Sequence, residues 1–195
     1  MIDLKGKKII LASKSPRRAS LLTDMDIPFE VKVREVDESY PASLPPNEVA
    51  EYIANQKAKA FDDLEKDEIA IFSDTVVVNQ NDVLGKPKDF EEAKAMLQGL
   101  SGKSHTVYSA VCIKTSSKVI SFTDQTLVTF MPMSDEVLEY YINEKKPFDK
   151  AGAYGIQEWI GMTMIEKIEG SYFTVMGLPT AILYQKLIQI LKEDN

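Results

Sequence analysis

The run Ile69-Ala70-Ile71-Phe72 is followed by Ser73-Asp74-Thr75, and then by Val76-Val77-Val78. An unbroken apolar stretch of this kind is expected of a strand buried on both faces, which calls for a sheet covered by helices. An ionised carboxylate delivered by such a strand is costly unless it is paired, hydrogen-bonded or metal-bound. Asp74 is therefore the sharpest candidate for chemistry, against the alternative that it merely caps the next element. Thr75 beside it could orient a ligand or pack.

The rest of the chain supplies the partners for that sheet. Ile9 to Ala12 reads as a first strand and Phe29 to Val33 as a second, separated by a helix from Arg17 to about Asp26. Pro41, Pro45 and Pro46 enforce a loop, after which Asn47 caps a helix running from Glu48 to about Leu64. A hairpin turn over 79–82 and a helix from Phe90 to Leu100 come next. Thr106 to Thr115 and Lys118 to Phe130 form a long hairpin, and Ser134 caps a helix to about Asn143. Met162 to Ile168 and Tyr172 to Val175 read as strands, and Pro179 starts a closing amphipathic helix. Helical crossovers mixed with hairpins predict an α/β fold, a mixed β-sheet flanked by helices. The length of 195 residues fits a single domain over 1–195, and two lobes around a cleft would fit as easily.

Ser13-Lys14-Ser15-Pro16-Arg17-Arg18 stands where the first strand gives way to the first helix. Ser15 offers an N-cap hydroxyl and Pro16 suits the first helical position. Arg17 and Arg18 then fall at the positive end of the helix dipole, where cations are disfavoured unless an anion neutralises them. Hydroxyls, helix N–H groups and guanidinium forks together suit phosphate oxygens. Solvated surface charge is the equal alternative for the two arginines.

Glu38 follows the second strand among Glu35, Asp37 and Ser39, as in a solvated acidic turn. If the second strand neighbours the first, Glu38 comes near the arginine turn, and with Asp74 it would make an oxygen-rich site for Mg²⁺. Lys57 lies on a helix and suits a solvent-facing surface. Lys86 sits between Gly85 and Pro87, whose rigid backbone would give an ammonium a definite aim.

Several classes drop out. A net charge of −7 without any long Lys/Arg run argues against nucleic acid and anionic membrane as partners. There is no P-loop motif, and a single His and a single Cys build neither a zinc tetrad nor a supported serine-hydrolase triad. Cys112 reads as a buried strand residue and His105 as structural. Neither a signal peptide nor a membrane span is evident, so the cytoplasm is the default.

Six stretches match one pattern in order. They are Ser13-Lys14-Ser15-Pro16-Arg17-Arg18; Ser73-Asp74-Thr75-Val76-Val77; Leu84-Gly85-Lys86-Pro87; Leu100-Ser101-Gly102; Asp149-Lys150-Ala151-Gly152-Ala153-Tyr154-Gly155-Ile156-Gln157; and Gly170-Ser171-Tyr172 with Gly177-Leu178-Pro179. Together they resemble the Maf family across nearly the full chain. The resemblance implies a nucleoside triphosphate pyrophosphatase that cuts between the α and β phosphates. It also implies a fold similar to the inosine triphosphate pyrophosphatases, elongated with a central cleft.

The segment ending in Gln157 looks like that of members acting on dTTP and UTP; members acting on 7-methyl-GTP carry a Lys-Ser-Glu type segment there. By the same resemblance Asp74 is the proton acceptor, Arg17, Thr75 and Gln157 set specificity, and Glu38, Lys57 and Lys86 are polar cleft residues. Asp37 stands beside Glu38, which leaves open which of the two faces the cleft. Ser73 departs from the Ala or Gly of many relatives. The expected mechanism has Ser13, Arg17, Arg18, Lys57 and Lys86 on the phosphates, with Mg²⁺ or Mn²⁺ held by Glu38 and Asp74. The partner is then a nucleoside triphosphate, with a homodimer left open. The family's description as inhibitors of septum formation supplies a non-enzymatic alternative, a nucleotide-binding regulator of division without turnover.

Overall fold

In the computed structural model, which describes residues 2–193, the apolar runs form the inner strands of a seven-stranded mixed sheet. Strand β1 (Lys8–Leu11) pairs in parallel with β2 (Phe29–Val31) and with β3 (Glu68–Asn79). Helix α1 (Pro16–Asp24) makes the crossover that parallel β1 and β2 require. The order is β2-β1-β3-β5-β6-β7, with β5 spanning Ser104–Lys114, β6 Val119–Phe130 and β7 Ile165–Glu169; β4 (Asp82–Leu84) pairs antiparallel with β3. The remaining helices are α2 (Val49–Lys59), α3 (Phe90–Leu100), α4 (Asp135–Lys145), α5 (Trp159–Met164), α6 (Tyr172–Met176) and α7 (Thr180–Glu193). The expected α/β class with a mixed sheet holds. Among the described residues no helix is long and apolar enough to cross a membrane.

The chain divides into two compact units. The first takes the chain up to Asp74, then Ser109–Asp124 and the stretch from Gly177 onward; the second takes Thr75–Tyr108 and Gln125–Met176. Strand β3 thus changes unit between Asp74 and Thr75. The first unit buries Ile9, Ile10, Leu11 and the run Ile69 to Phe72, with Phe61 edge-on to Phe72 at 5.0 Å. The second buries Val77, Leu97, Leu100, Val107, Phe130, Leu138, Tyr141, Tyr154 and Ile160 in one cluster.

Four local expectations are corrected. β3 runs unbroken through Ser73-Asp74-Thr75, so Asp74 sits inside a strand rather than at its end. Asn47 caps nothing: it lies in a 3₁₀ turn, Pro46–Glu48, and α2 begins without a side-chain cap. The strand expected from Met162 is helical as far as Met164, where Thr163 Oγ1 donates to the Trp159 carbonyl at 2.7 Å and closes a helical turn locally. The four apolar-rich residues from Tyr172 form helix α6, since so short a window satisfies either period.

His105 is structural, as expected. Its Nε2 lies 2.7 Å from the Tyr154 hydroxyl and its ring stacks on Phe130 at 5.3 Å. Burial pulls its pKa down to about 4. An imidazole held neutral in the fold is protonated first in the unfolded chain, so its stabilisation is complete above pH 6.5 and disappears as pH falls towards 4. Thermal melts across that window should show the wild type losing about 3 kcal/mol more than His105→Gln. Parallel curves for the two proteins would contradict this.

Candidate active site

The turn after β1 is built as its sequence implied. Ser15 Oγ accepts the Arg18 N–H and Pro16 opens α1. The buried Ser13 Oγ accepts the Ser15 N–H at 3.2 Å. Arg17 stands partly exposed in the first turn.

Arg18 reaches back into the protein. Its Nη1 donates to Ser13 Oγ at 3.2 Å and to the Ser73 carbonyl at 2.9 Å, while Nε donates to the Gly177 carbonyl at 2.9 Å. Ser73, fully buried, donates its hydroxyl to the same Gly177 carbonyl at 3.1 Å. Arg18 and Ser13, expected on the phosphates, bond to each other and to the main chain around Asp74. Buried carbonyls need donors, and a guanidinium satisfies two of them at fixed geometry. Ser73 is a contributor that no motif chemistry singled out.

Lys57, in the last turn of α2, reaches Asp74 Oδ1 at 2.7 Å and Glu38 Oε1 at 3.0 Å. The lysine and aspartate side chains are 16% and 14% exposed, the glutamate 53%. Lys57 is therefore an ion-pair centre and not a solvent-facing helix residue. Asp37 spends its carboxylate on the Ser39 N–H at 2.9 Å and hydroxyl at 2.8 Å, which hold its pKa low. Glu38 is thereby the member of the acidic turn that meets the lysine.

The other expected residues belong to the second unit. Thr75 follows Asp74 on β3, half-buried. Lys86 is exposed between buried Pro87 and Gly85, whose carbonyl accepts the Gly152 N–H at 3.0 Å. Gln157 keeps its Oε1 buried without any hydrogen-bond partner.

Among the described residues no group of three or more His, Cys, Asp or Glu could hold a metal. The two-carboxylate set of Glu38 and Asp74 still fits a hard cation, because both already share one positive group and Mg²⁺ takes few carboxylates beside phosphate oxygens and water.

Sheet and side chains define an α/β protein whose inner strand presents an aspartate ion-paired to a helix lysine, beside a capped helix N-terminus. The chain belongs to the Maf family: residues 8–190 match the sequence model described as Maf-like protein. A dTTP/UTP pyrophosphatase of Flavobacterium psychrophilum is 50% identical over 185 residues, 94% of this chain and 95% of that protein. One of Parabacteroides distasonis is 49% identical over 187 residues, 95% and 97% of the two chains. The Staphylococcus aureus Ham1 protein covers 92% of this chain, and the whole of that chain, at 13% identity and a TM-score of 0.48. The fold class rests on the sheet itself.

Proposed function

We propose that the protein is a nucleoside triphosphate pyrophosphatase that hydrolyses dTTP and UTP to the monophosphate and pyrophosphate. The observation that carries this reading is the Asp74–Lys57 pair. A carboxylate inside an apolar strand has one oxygen fixed by an ammonium at 2.7 Å, which leaves the other to orient water.

In the reaction Asp74 takes a proton from that water as its oxygen attacks the α-phosphorus. The bond from the α-phosphorus to the bridging oxygen breaks, and pyrophosphate departs. Lys57 holds Asp74 in place and offsets phosphate charge. Arg17 and the first-turn N–H groups of α1 add to that offset. Most of the rate gain is positioning and electrostatics, as phosphoryl transfer in general requires.

Glu38 and Asp74 would hold Mg²⁺ or Mn²⁺, which when bound neutralises charge growing on the leaving group. On the second unit, Lys86 takes the phosphate role and Thr75 and Gln157 the specificity roles that the family likeness assigns. The Gln157 amide has an acceptor and a donor in one plane, matching the N3–H and carbonyl of uracil or thymine. We place this activity in the cytoplasm.

Pyrophosphate release from dTTP, UTP, CTP and inosine triphosphate, with Mg²⁺ and with chelator, tests the reading. The expected outcome is metal-dependent turnover with kcat/KM for dTTP and UTP about tenfold or more above that for inosine triphosphate. Binding without turnover would favour a regulator of division, and preference for inosine triphosphate a purine-directed enzyme.

A further inference from the structure

The geometry points to Glu158, held between Tyr141 and Lys150, as the anchor that fixes the amide orientation of Gln157 and so makes these three positioning residues for base specificity. This rests on the function proposed above.

The segment 149–158 contains no regular element beyond the 3₁₀ turn Ala151–Ala153, yet residues 152–156 are buried. Packing holds its first half. Gly152 adopts φ +68°, and a Cβ there would meet Val77 Cγ2 at 3.0 Å, so only glycine lies flat against β3. Its second half, where Tyr154 and Ile156 sit in the core, is held by polar groups as well. Tyr141, on α4, donates its hydroxyl to Glu158 Oε2 at 2.5 Å and accepts the Gly155 N–H at 3.1 Å. Lys150 Nζ takes the other carboxylate oxygen at 3.0 Å and Asp149 Oδ1 at 2.6 Å. The Glu158 N–H returns to the Gly155 carbonyl at 3.0 Å. Both oxygens of the residue next to Gln157 are thus fixed, one by a short charge-assisted bond.

Gln157 is trapped by the same arrangement. A Cβ on Gly155 would lie 3.0 Å from Glu158 Cδ and 3.1 Å from Gln157 Nε2, so both side chains run across that glycine. The amide nitrogen lies over that glycine, while Oε1 stays buried and unpartnered. A buried acceptor without a donor is costly, and a ligand N–H removes the cost.

Orientation decides which base supplies it. An amide turned one way pairs with the N3–H and carbonyl of uracil or thymine. Turned half round, the same amide pairs with N3 and the exocyclic amine of cytosine. A mobile glutamine accepts both, so discrimination needs the amide locked.

The test is calorimetric binding of UTP and CTP to the full chain, alongside pyrophosphate release. Tyr141→Phe keeps the ring and removes the hydroxyl; Glu158→Gln keeps the shape and removes the charge. Each should cut the wild-type preference for UTP over CTP about tenfold. Gln157→Ala should abolish that preference, and adding Tyr141→Phe to it should change nothing further. Should Tyr141→Phe fail to fold, as judged by its melt, Glu158→Gln carries the test. The inference is overturned if either folded variant keeps the UTP:CTP ratio within twofold of wild type. It is overturned equally if the single effects multiply in the double variant, or if the wild type binds the two nucleotides alike. Binding preference without turnover would sink the proposed catalysis while leaving this anchor standing.

Discussion

Asp74→Asn leaves the protein folded and nucleotide bound, and removes pyrophosphate release. The substitution keeps the shape of the side chain, and its carbonyl oxygen still accepts from Lys57, which also retains Glu38 at 3.0 Å. What disappears is basicity: an amide cannot take the proton of an attacking water. Loss of a positioned general base costs about 10²- to 10⁴-fold in rate, so kcat for UTP should fall by about 10³. Measured with chelator, so that the cation Asp74 would share with Glu38 plays no part, the dissociation constant for UTP should stay within about threefold of wild type. Single-turnover measurement of pyrophosphate together with calorimetry separates the two effects. Turnover within tenfold of wild type would remove Asp74 from the proton transfer and leave it a mere partner of Lys57.

Asp74 was legible in the sequence because it is a chemical outlier, a charge set in an otherwise apolar strand. The entrance to α1 was legible for a local reason: Ser15 and Pro16 carry their capping chemistry with them. Helix α3 was expected from Phe90 to Leu100 and forms there, where Asp89 Oδ1 accepts the Glu92 N–H at 2.9 Å. The main-chain contacts of Arg18 were not legible. Successive residues on a helix point about 100° apart, and the partners of Arg18 lie 55 and 159 positions away. That Glu38 and not Asp37 pairs with Lys57 likewise comes from competition, since Ser39 captures the nearer carboxylate through a two-residue turn. No shift in composition marks the division into two units, because strands β3, β5 and β6 each pass from one into the other. The anchor around Glu158 joins residues 141, 150, 155 and 158, a set that no single period describes.

Arg18→Ala should lower both stability and activity, and in doing so distinguish a clamp from a phosphate ligand. The guanidinium supplies donors to the Ser73 and Gly177 carbonyls and to Ser13 Oγ. Truncation takes a donor from three acceptors at once; Gly177 keeps the Ser73 hydroxyl and Ser13 Oγ keeps the Ser15 N–H. Burial already pushes the Arg18 pKa down, against the opposing pull of Asp74. Its charge is thus tolerated for the bonds it makes. A hydrogen bond to a charged group contributes about 1.5–3 kcal/mol and three are lost, so with water relaxing into the gap a net loss of about 2–4 kcal/mol follows. At roughly 2–4 °C per kcal/mol for a chain of this size, the melting temperature should drop by about 5–15 °C. Activity falls with it, since the Ser73 carbonyl belongs to the peptide that carries Asp74, and a shifted strand misplaces the base. Arg18→Lys should recover less than half of either loss, because one ammonium cannot span both the Nε and the Nη1 positions. Arg17→Ala, by contrast, should raise KM and lower kcat with a melting temperature within about 2 °C of wild type, as a partly exposed side chain allows. An Arg18→Ala protein that melts like the wild type and differs only in KM would return that arginine to the phosphates.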